Sequence, residues 1–155
     1  GGAGAQELRV SWQNGETSSA PLGSDYERGI DVPFDLDADG SVEIILSGGG
    51  GEFVGYEVFR LAADRSLVAI RTVNEAGQDE PLSSSYTDGF PLDETWQVSW
   101  TPGLVVSWRA REPFPTRPVT VDVRRWVLTG DTLTLQNEVE AGCWQVDLSV
   151  TVGGC

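Results

Sequence analysis

The chain has 155 residues, of which 24 are acidic and ten basic, so its formal net charge is −14. A chain this acidic repels phosphate backbones and anionic membranes, and no apolar run is long enough to span a membrane, so neither nucleic acid nor a membrane span is expected. The sequence contains no histidine, which excludes Ser-His-Asp and Cys-His catalysis.

The length suits a single domain, residues 1–155, with its own core. Residues 1–6 are rich in glycine and alanine, and we expect an N-terminal arm that is flexible or takes part in assembly. Residues 8–13 alternate apolar and polar side chains, which predicts a half-buried strand able to complete a neighbour's sheet. Asn14-Gly15 then turns the chain, and residues 16–29 are expected to be irregular.

Residues 32–36 and 42–46 also alternate, and they predict a hairpin whose loop is strongly acidic. The carboxylates of this loop occupy alternate positions: Asp35, Asp37 and Asp39. Like charges this close raise each other's pKa values, so the cluster is costly unless a hard cation binds to it. The alternative is a plain turn, because aspartate and glycine are good turn formers.

The spacing Asp-x-Asp-x-Asp-Gly resembles the first half of the calcium loops in EF-hand and dockerin proteins, where positions 1, 3 and 5 donate side-chain oxygens. The resemblance implies a Ca²⁺ cofactor held by Asp35, Asp37 and Asp39, with Glu43 at position 9 as a weaker ligand. Leu46 stands at position 12, where a bidentate glutamate is expected, so the affinity should be roughly millimolar. The match is confined to this loop.

Further hairpins are predicted in the middle of the chain. They join residues 53–61 to 66–73 and residues 96–100 to 104–111. Trp96 is in phase with aliphatic neighbours and is expected in the core. Residues 74–93 are polar and include two prolines, which predicts a long surface loop. In the strand that begins at Val119, Arg124-Arg125 disturbs the alternation, which predicts a β-bulge before Trp126.

Alternation with a period of two runs through almost the whole chain, and no segment shows the periodicity of a helix. About ten short strands, separated by turn signals such as Gly130-Asp131, predict an all-β fold, either an antiparallel β-sandwich or a jelly roll. The sequence shows no repeat of about 20–50 residues, so a propeller or a solenoid is not expected.

Half of the ten arginines lie between residues 109 and 125, and four of them join Trp126 in a predicted interaction patch. The members of this patch are Arg109, Arg111, Arg124, Arg125 and Trp126. Trp126 shares a strand face with polar neighbours and is the best candidate for an exposed aromatic that stacks on a sugar ring. The arginines either pair with acids of the same chain or dock on an acidic patch of another copy. Docking of this kind joins two different surfaces head to tail, which yields rings or filaments.

The two cysteines, Cys143 and Cys155, leave three alternatives open. Residues 144–152 alternate without a turn signal and predict one strand about 30 Å long, which would hold the cysteines too far apart to bond. An internal disulfide therefore requires the chain to fold back near residues 147–149. Otherwise the cysteines bond to another subunit or remain free thiols.

These features favour a non-enzymatic, extracellular structural protein, a β-sandwich subunit of a surface filament, pilus or surface layer. Its expected partners are other copies of itself, and Ca²⁺ is the expected stabilising cofactor. The alternative is a secreted carbohydrate-binding or adhesive module with glycans as partners. A hydrolase has little support, because among 24 acidic residues some pair lies close by chance and no motif marks a catalytic set.

Overall fold

A computed structural model describes residues 7–22, 28–30, 35–36, 38–48, 53–87, 90–91, 95–112 and 115–155. These residues form fifteen strands and no helix, and hence no helix long and apolar enough to cross a membrane. The all-β prediction is confirmed, and the antiparallel sheets are consistent with a sandwich. The expected N-terminal arm, residues 1–6, lies outside the described residues.

The strands are numbered in chain order. They are β1 (Glu7–Ser11), β2 (Thr17–Pro21), β3 (Arg28–Ile30), β4 (Glu43–Gly48), β5 (Phe53–Leu61), β6 (Leu67–Ala69), β7 (Arg71–Asn74), β8 (Ser83–Thr87), β9 (Phe90–Pro91), β10 (Gln97–Thr101), β11 (Leu104–Ala110), β12 (Val119–Thr129), β13 (Thr132–Leu135), β14 (Glu140–Trp144) and β15 (Val150–Val152).

Two large sheets and one separate hairpin make up the described fold. The front sheet has seven strands in the order β10-β11-β12-β13-β7, and β14 with β15 extends it from the first half of β12. The back sheet has six strands in the order β3-β4-β5-β8-β9, with β6 also paired to β5. The β1–β2 hairpin forms a two-stranded sheet of its own and pairs with neither large sheet in the described structure. All of the strand pairs are antiparallel except β13–β7.

The main core contains buried side chains from both large sheets. Its members are Leu36, Ile45, Val58, Ile70, Leu82, Val98, Val105, Trp126, Leu133 and Leu135. Ile70 lies between β6 of the back sheet and β7 of the front sheet, so the chain passes from one sheet to the other at this buried residue. This packing of two sheets on a shared core corresponds to the predicted sandwich.

Strand β4 is buried on both faces, which explains its continuous apolar run. Ile45 belongs to the main core, whereas Ile44 and Leu46 belong to a second cluster with Leu8 and Ala20 of the β1–β2 hairpin. Because neighbouring residues of a strand point to opposite faces, the hairpin packs on the outer face of the back sheet.

Two segments predicted as irregular contain strands, so those predictions are wrong. Within residues 16–29, β2 pairs with β1 and β3 begins; the serine-rich β2 buries Ala20, which is too weak a pattern to recognise in the sequence. Within residues 74–93, a tight turn is followed by β8 and β9 of the back sheet. These four added strands account for most of the count above the predicted ten, and the rest arises because predicted single strands are divided, as at β6 and β7.

The predicted partner of β4 also differs. Residues 31–34 lie outside the described residues, and at Asp35 and Leu36 the chain is not in a strand. Strand β4 pairs instead with β3 on one side and β5 on the other.

Strand β12 carries no bulge against β11, so that prediction is wrong. The register runs unbroken from Val105 opposite Trp126 to Ala110 opposite Val121. The alternation of apolar and polar residues shifts along β12 because the two halves of the strand bury opposite faces. Val121 and Val123 pack in a cluster with side chains of β11, β14 and β15 on one face of the front sheet, whereas Trp126 enters the main core on the other.

Candidate functional site

The acidic loop forms a turn that its own carboxylates stabilise. Asp35 accepts hydrogen bonds from the backbone N–H groups of Asp39 at 3.0 Å and Gly40 at 2.8 Å. Asp39 accepts bonds from the backbone N–H of Ser41 at 2.8 Å and from its hydroxyl at 2.5 Å. Both carboxylates therefore have the role that the plain-turn alternative assigned to them.

Glu43 lies beneath this loop rather than on it. It is fully buried, and its Oε2 accepts the backbone N–H of Leu36 at 2.8 Å, which ties the loop to the first residue of β4. Among the described residues, no group of three or more acidic or cysteine side chains is placed to hold a metal ion, and Asp37 falls outside them. Calcium binding at Asp35, Asp37, Asp39 and Glu43 therefore stays a prediction.

The arginines of the predicted interaction patch all have partners within the chain. Arg109 and Arg111 both bond Asp122, at 3.4 and 2.9 Å. Arg125 forms a bidentate ion pair with Glu140, from its Nε to Oε2 at 2.6 Å and from its Nη2 to Oε1 at 3.3 Å. This pair lowers the pKa of Glu140 and raises that of Arg125. Because strand neighbours point to opposite faces, Arg125 lies on the other face of the front sheet from Arg124.

Arg117 and Arg124 differ from the other described arginine side chains in the chemistry of their partners. Arg117 donates to the carbonyl oxygen of Val146 at 3.1 Å and lies 5.0 Å from the ring centre of Trp144. Of the arginine side chains that the structure describes, seven form ion pairs with carboxylates. Arg124 bonds neutral groups, the carbonyl oxygen of Gln136 at 2.9 Å and the amide oxygen of Asn137 at 3.4 Å. Its guanidinium also lies 5.5 Å from the ring centre of Trp96. In a strongly acidic protein, this is a cation whose described partners are neutral groups.

The exposed aromatic is not Trp126. Its side chain is 5% exposed, and its indole N–H donates to the Ser107 hydroxyl at 2.9 Å, so it cannot present a face to a sugar from the surface. Trp96 is half-buried instead, with Arg109 at 4.6 Å from its ring centre. The prediction that Trp96 lies in the core is wrong, because Trp96 precedes β10 and does not share the burial of that strand.

A pocket of about 280 Å³ lies beside Trp96. We call it the Trp96 pocket. Its walls include Trp96, Trp126, Pro81, Leu135, Arg124 and Glu80. The half-buried Trp96 ring, aliphatic carbons and a guanidinium together suit a ligand that has apolar surface next to a negative charge.

The two cysteines form an internal disulfide. Cys143 and Cys155 are bonded, with their Cα atoms 4.9 Å apart. The prediction of one strand over residues 144–152 is wrong, because the chain turns back over residues 145–149 and β15 pairs with β14. Of the three alternatives, the structure has the folded-back internal bridge.

The turn between β14 and β15 exposes apolar side chains. Val146 is 68% exposed and Leu148 is 61% exposed, the highest values among the large apolar side chains that the structure describes. Between them, Asp147 accepts the Ser149 hydroxyl at 2.6 Å and its backbone N–H at 3.0 Å, which lowers the pKa of Asp147. These three residues, Val146, Asp147 and Leu148, are called the hairpin tip below.

Leu148 also has a left-handed backbone, with φ at +74°. Four turns in the described chain share one pattern of two backbone hydrogen bonds, and their left-handed residues are Gly15, Arg65, Gly77 and Leu148. Glycine takes this conformation at no steric cost, whereas other residues are strained by about 1–2 kcal/mol. Arg65 pairs with Glu16 at 2.6 Å and lies over Trp12, which offsets the strain, but Leu148 projects into solvent.

Comparisons with protein-family models, with curated proteins and with solved structures find no match for this chain.

Proposed function

We propose that this protein is a non-catalytic extracellular structural protein that assembles with other copies of itself into a surface filament or layer. The observation that carries the proposal is the hairpin tip. Exposed apolar side chains mark contact surfaces, and a strained residue kept at an exposed turn points to a role other than stability. A covalently closed hairpin holds this tip in place.

The disulfide supports the proposed location. Disulfides persist in oxidising environments outside the cell and are rare in the cytosol. Because both cysteines are bonded within one chain, the proposed assembly does not depend on disulfides between subunits.

The test compares the size of three proteins over a concentration series, by light scattering and negative-stain microscopy. Wild type should form particles larger than a monomer. Val146→Ser with Leu148→Asn should not, since asparagine tolerates the left-handed conformation but removes the apolar surface. Val42→Ser, at an apolar residue that is 43% exposed elsewhere on the surface, is the matched control and should assemble as wild type does. A wild type that stays monomeric throughout contradicts the proposal.

A secreted carbohydrate-binding module is the second candidate, and the Trp96 pocket is the observation that favours it. Sugar rings stack on aromatic faces, and hydroxyl-bearing residues such as Ser83 also line the pocket. Glycan binding followed by tryptophan fluorescence tests this candidate. Binding that is lost in Trp96→Ala supports it, and a glycan screen without any binding contradicts it.

A further inference from the structure

The hairpin tip and the Trp96 pocket have complementary chemistry. The tip places the Asp147 carboxylate between two exposed aliphatic side chains. The pocket places the Arg124 guanidinium 5.5 Å from the ring centre of Trp96. We propose that the Trp96 pocket of one copy receives the hairpin tip of the next, with Asp147 paired to Arg124. This proposal rests on the assembly function proposed above, and it specifies the two surfaces that join.

The two surfaces cannot meet within one chain. Arg124 is five residues from Val119 along β12, and Val119 lies opposite Trp144 at the end of β14. The tip continues beyond Trp144 in the same direction, so at about 3.3 Å per residue it lies roughly 25 Å from Arg124. The tip therefore reaches only the pocket of another molecule.

Two different surfaces on each copy make a heterologous contact. Such a contact leaves one free tip and one free pocket after every addition, and it continues into an open filament unless its rotation closes a ring.

The charges of the two surfaces are complementary, because Asp147 carries a carboxylate and Arg124 a guanidinium. Arg124 has neutral hydrogen-bond partners, so a carboxylate from outside would be its first ion-pair partner among the described residues. Glu80 also lines the pocket but forms no ion pair with Arg124 in the described structure. Asp147 is charged at neutral pH, as an exposed aspartate is, and the hydrogen bonds from Ser149 lower its pKa further.

The contact should be weak for a single pair. A stable interface buries about 1,200–2,000 Å², and one hairpin tip offers much less surface than that. Assembly is therefore expected at high protein concentration or on a surface that concentrates the copies.

The test uses two variants that each lose one side of the contact. The tip variant carries Val146→Ser, Asp147→Asn and Leu148→Asn; the pocket variant carries Trp96→Ala, with Arg124→Gln as a second pocket variant in case the first does not fold. Near-ultraviolet circular dichroism and thermal unfolding check that each variant is folded. Each variant alone should be monomeric, and an equimolar mixture should form dimers and nothing larger, because one tip and one pocket remain.

The possible results separate this contact from the assembly function. If wild type is monomeric at every concentration, the assembly function fails and the contact fails with it. If wild type assembles and the tip variant does not, but folded pocket variants still assemble, the contact is wrong and assembly through the tip stands. A mixture without dimers also overturns the contact, as does a pocket that binds an acidic sugar while wild type stays monomeric.

Discussion

At the scale of single residues, three aspartates of this protein perform the same task. In Asp39-Gly40-Ser41, Asp64-Arg65-Ser66 and Asp147-Leu148-Ser149, the aspartate accepts both the backbone N–H and the hydroxyl of the serine. The middle residue of each triplet has a positive φ. Asp39, one of the predicted calcium ligands, thus has the same role as two aspartates outside the acidic loop.

The strain at Leu148 predicts an opposite effect on stability and assembly. Leu148→Gly should raise the free energy of unfolding by about 0.5–1 kcal/mol, because glycine relieves the left-handed strain at some cost in chain entropy. The same variant should weaken self-association. Gly77→Ala is the matched control. No atom lies within 4 Å of the added Cβ, so only the positive φ affects its stability, and its free energy of unfolding should fall by about 1 kcal/mol. Urea unfolding measures both, and a Leu148→Gly protein less stable than wild type would count against strain at this turn.

The aspartate–serine turns predict a loss of stability in acid. Hydrogen bonds from Ser66 and Ser149 lower the pKa values of Asp64 and Asp147 in the folded protein. A lowered folded pKa stabilises the fold fully above the unfolded value of about 3.9, and this contribution is lost as the pH falls through the folded pKa. Unfolding free energies of wild type should therefore fall below about pH 4. Asp64→Asn with Asp147→Asn should show a smaller fall, and an equal fall in both proteins would rule these two groups out.

At the scale of elements, the β14–β15 hairpin is held by close backbone contact and by a covalent bond. A Cβ at Gly142 would overlap a methyl group of Val123 and lie 3.0 Å from the Thr151 carbonyl oxygen, so glycine is needed where β14 lies between β12 and β15. The disulfide then fixes the end of the chain to Cys143, which is 2% exposed.

Removal of the disulfide is expected to lower stability and to loosen the hairpin tip. The bond joins residues 12 apart, and a cross-link closing a loop of this size contributes about 3 kcal/mol through the entropy of the unfolded chain. Cys143→Ser with Cys155→Ser should lose roughly 2–3 kcal/mol in chemical unfolding. Backbone amides of residues 145–149 should exchange hydrogen faster than in wild type. Unchanged exchange would show that the strand pairing alone orders the tip.

Calcium binding remains a prediction for the loop of Asp35, Asp37 and Asp39. Saturating Ca²⁺ should raise the thermal midpoint relative to a chelator, because a ligand that binds only the native state stabilises it. Asp37→Asn should abolish this rise. Replacement of Asp35 or Asp39 would also remove carboxylates that accept the backbone hydrogen bonds of the turn. The same midpoint in calcium and in chelator would disprove calcium binding.

At the scale of the whole molecule, β12 links two clusters on opposite faces of the front sheet. Its first half buries Val121 and Val123 with β11, β14 and β15, and its second half buries Trp126 in the main core. The strand that packs Trp126 against the back sheet thus also carries β14, and the tip extends from that strand. Arg124, which lines the pocket, and the hairpin tip are in this way carried by the same sheet.

The net charge predicts how assembly depends on salt. Copies of formal charge −14 repel each other at long range, and this repulsion is screened beyond about 8 Å at 0.15 M salt but extends to about 30 Å at 0.01 M. A close pair such as Asp147 and Arg124 is screened less. Self-association measured by light scattering should therefore strengthen from about 0.01 to about 0.15 M NaCl. Assembly that is strongest at the lowest salt would mean that attraction between oppositely charged surfaces dominates.

The fold class and several local turns could be predicted from the amino-acid sequence. Alternation with a period of two reports the direction of each side chain within its own strand, and it predicted β1, the β5–β6 hairpin and the β10–β11 hairpin. Turn signals such as Asn14-Gly15 and Gly130-Asp131 depend on neighbouring residues alone. These features are local, so a single sequence is enough to find them.

The covered faces and the contacts between distant segments could not be predicted from the sequence and are known from the three-dimensional fold. The alternation around Arg124 and Arg125 predicted a bulge, because nothing within β12 shows that a different layer covers each half of the strand. The same limit left Trp126 exposed in the prediction and Trp96 in the core. The sequence left the internal disulfide as one of three alternatives, because leucine is not a turn-forming residue and the turn at Leu148 could not be predicted. That turn brings Cys155 back to Cys143. Burial and pairing between distant segments depend on contacts that the local pattern does not contain.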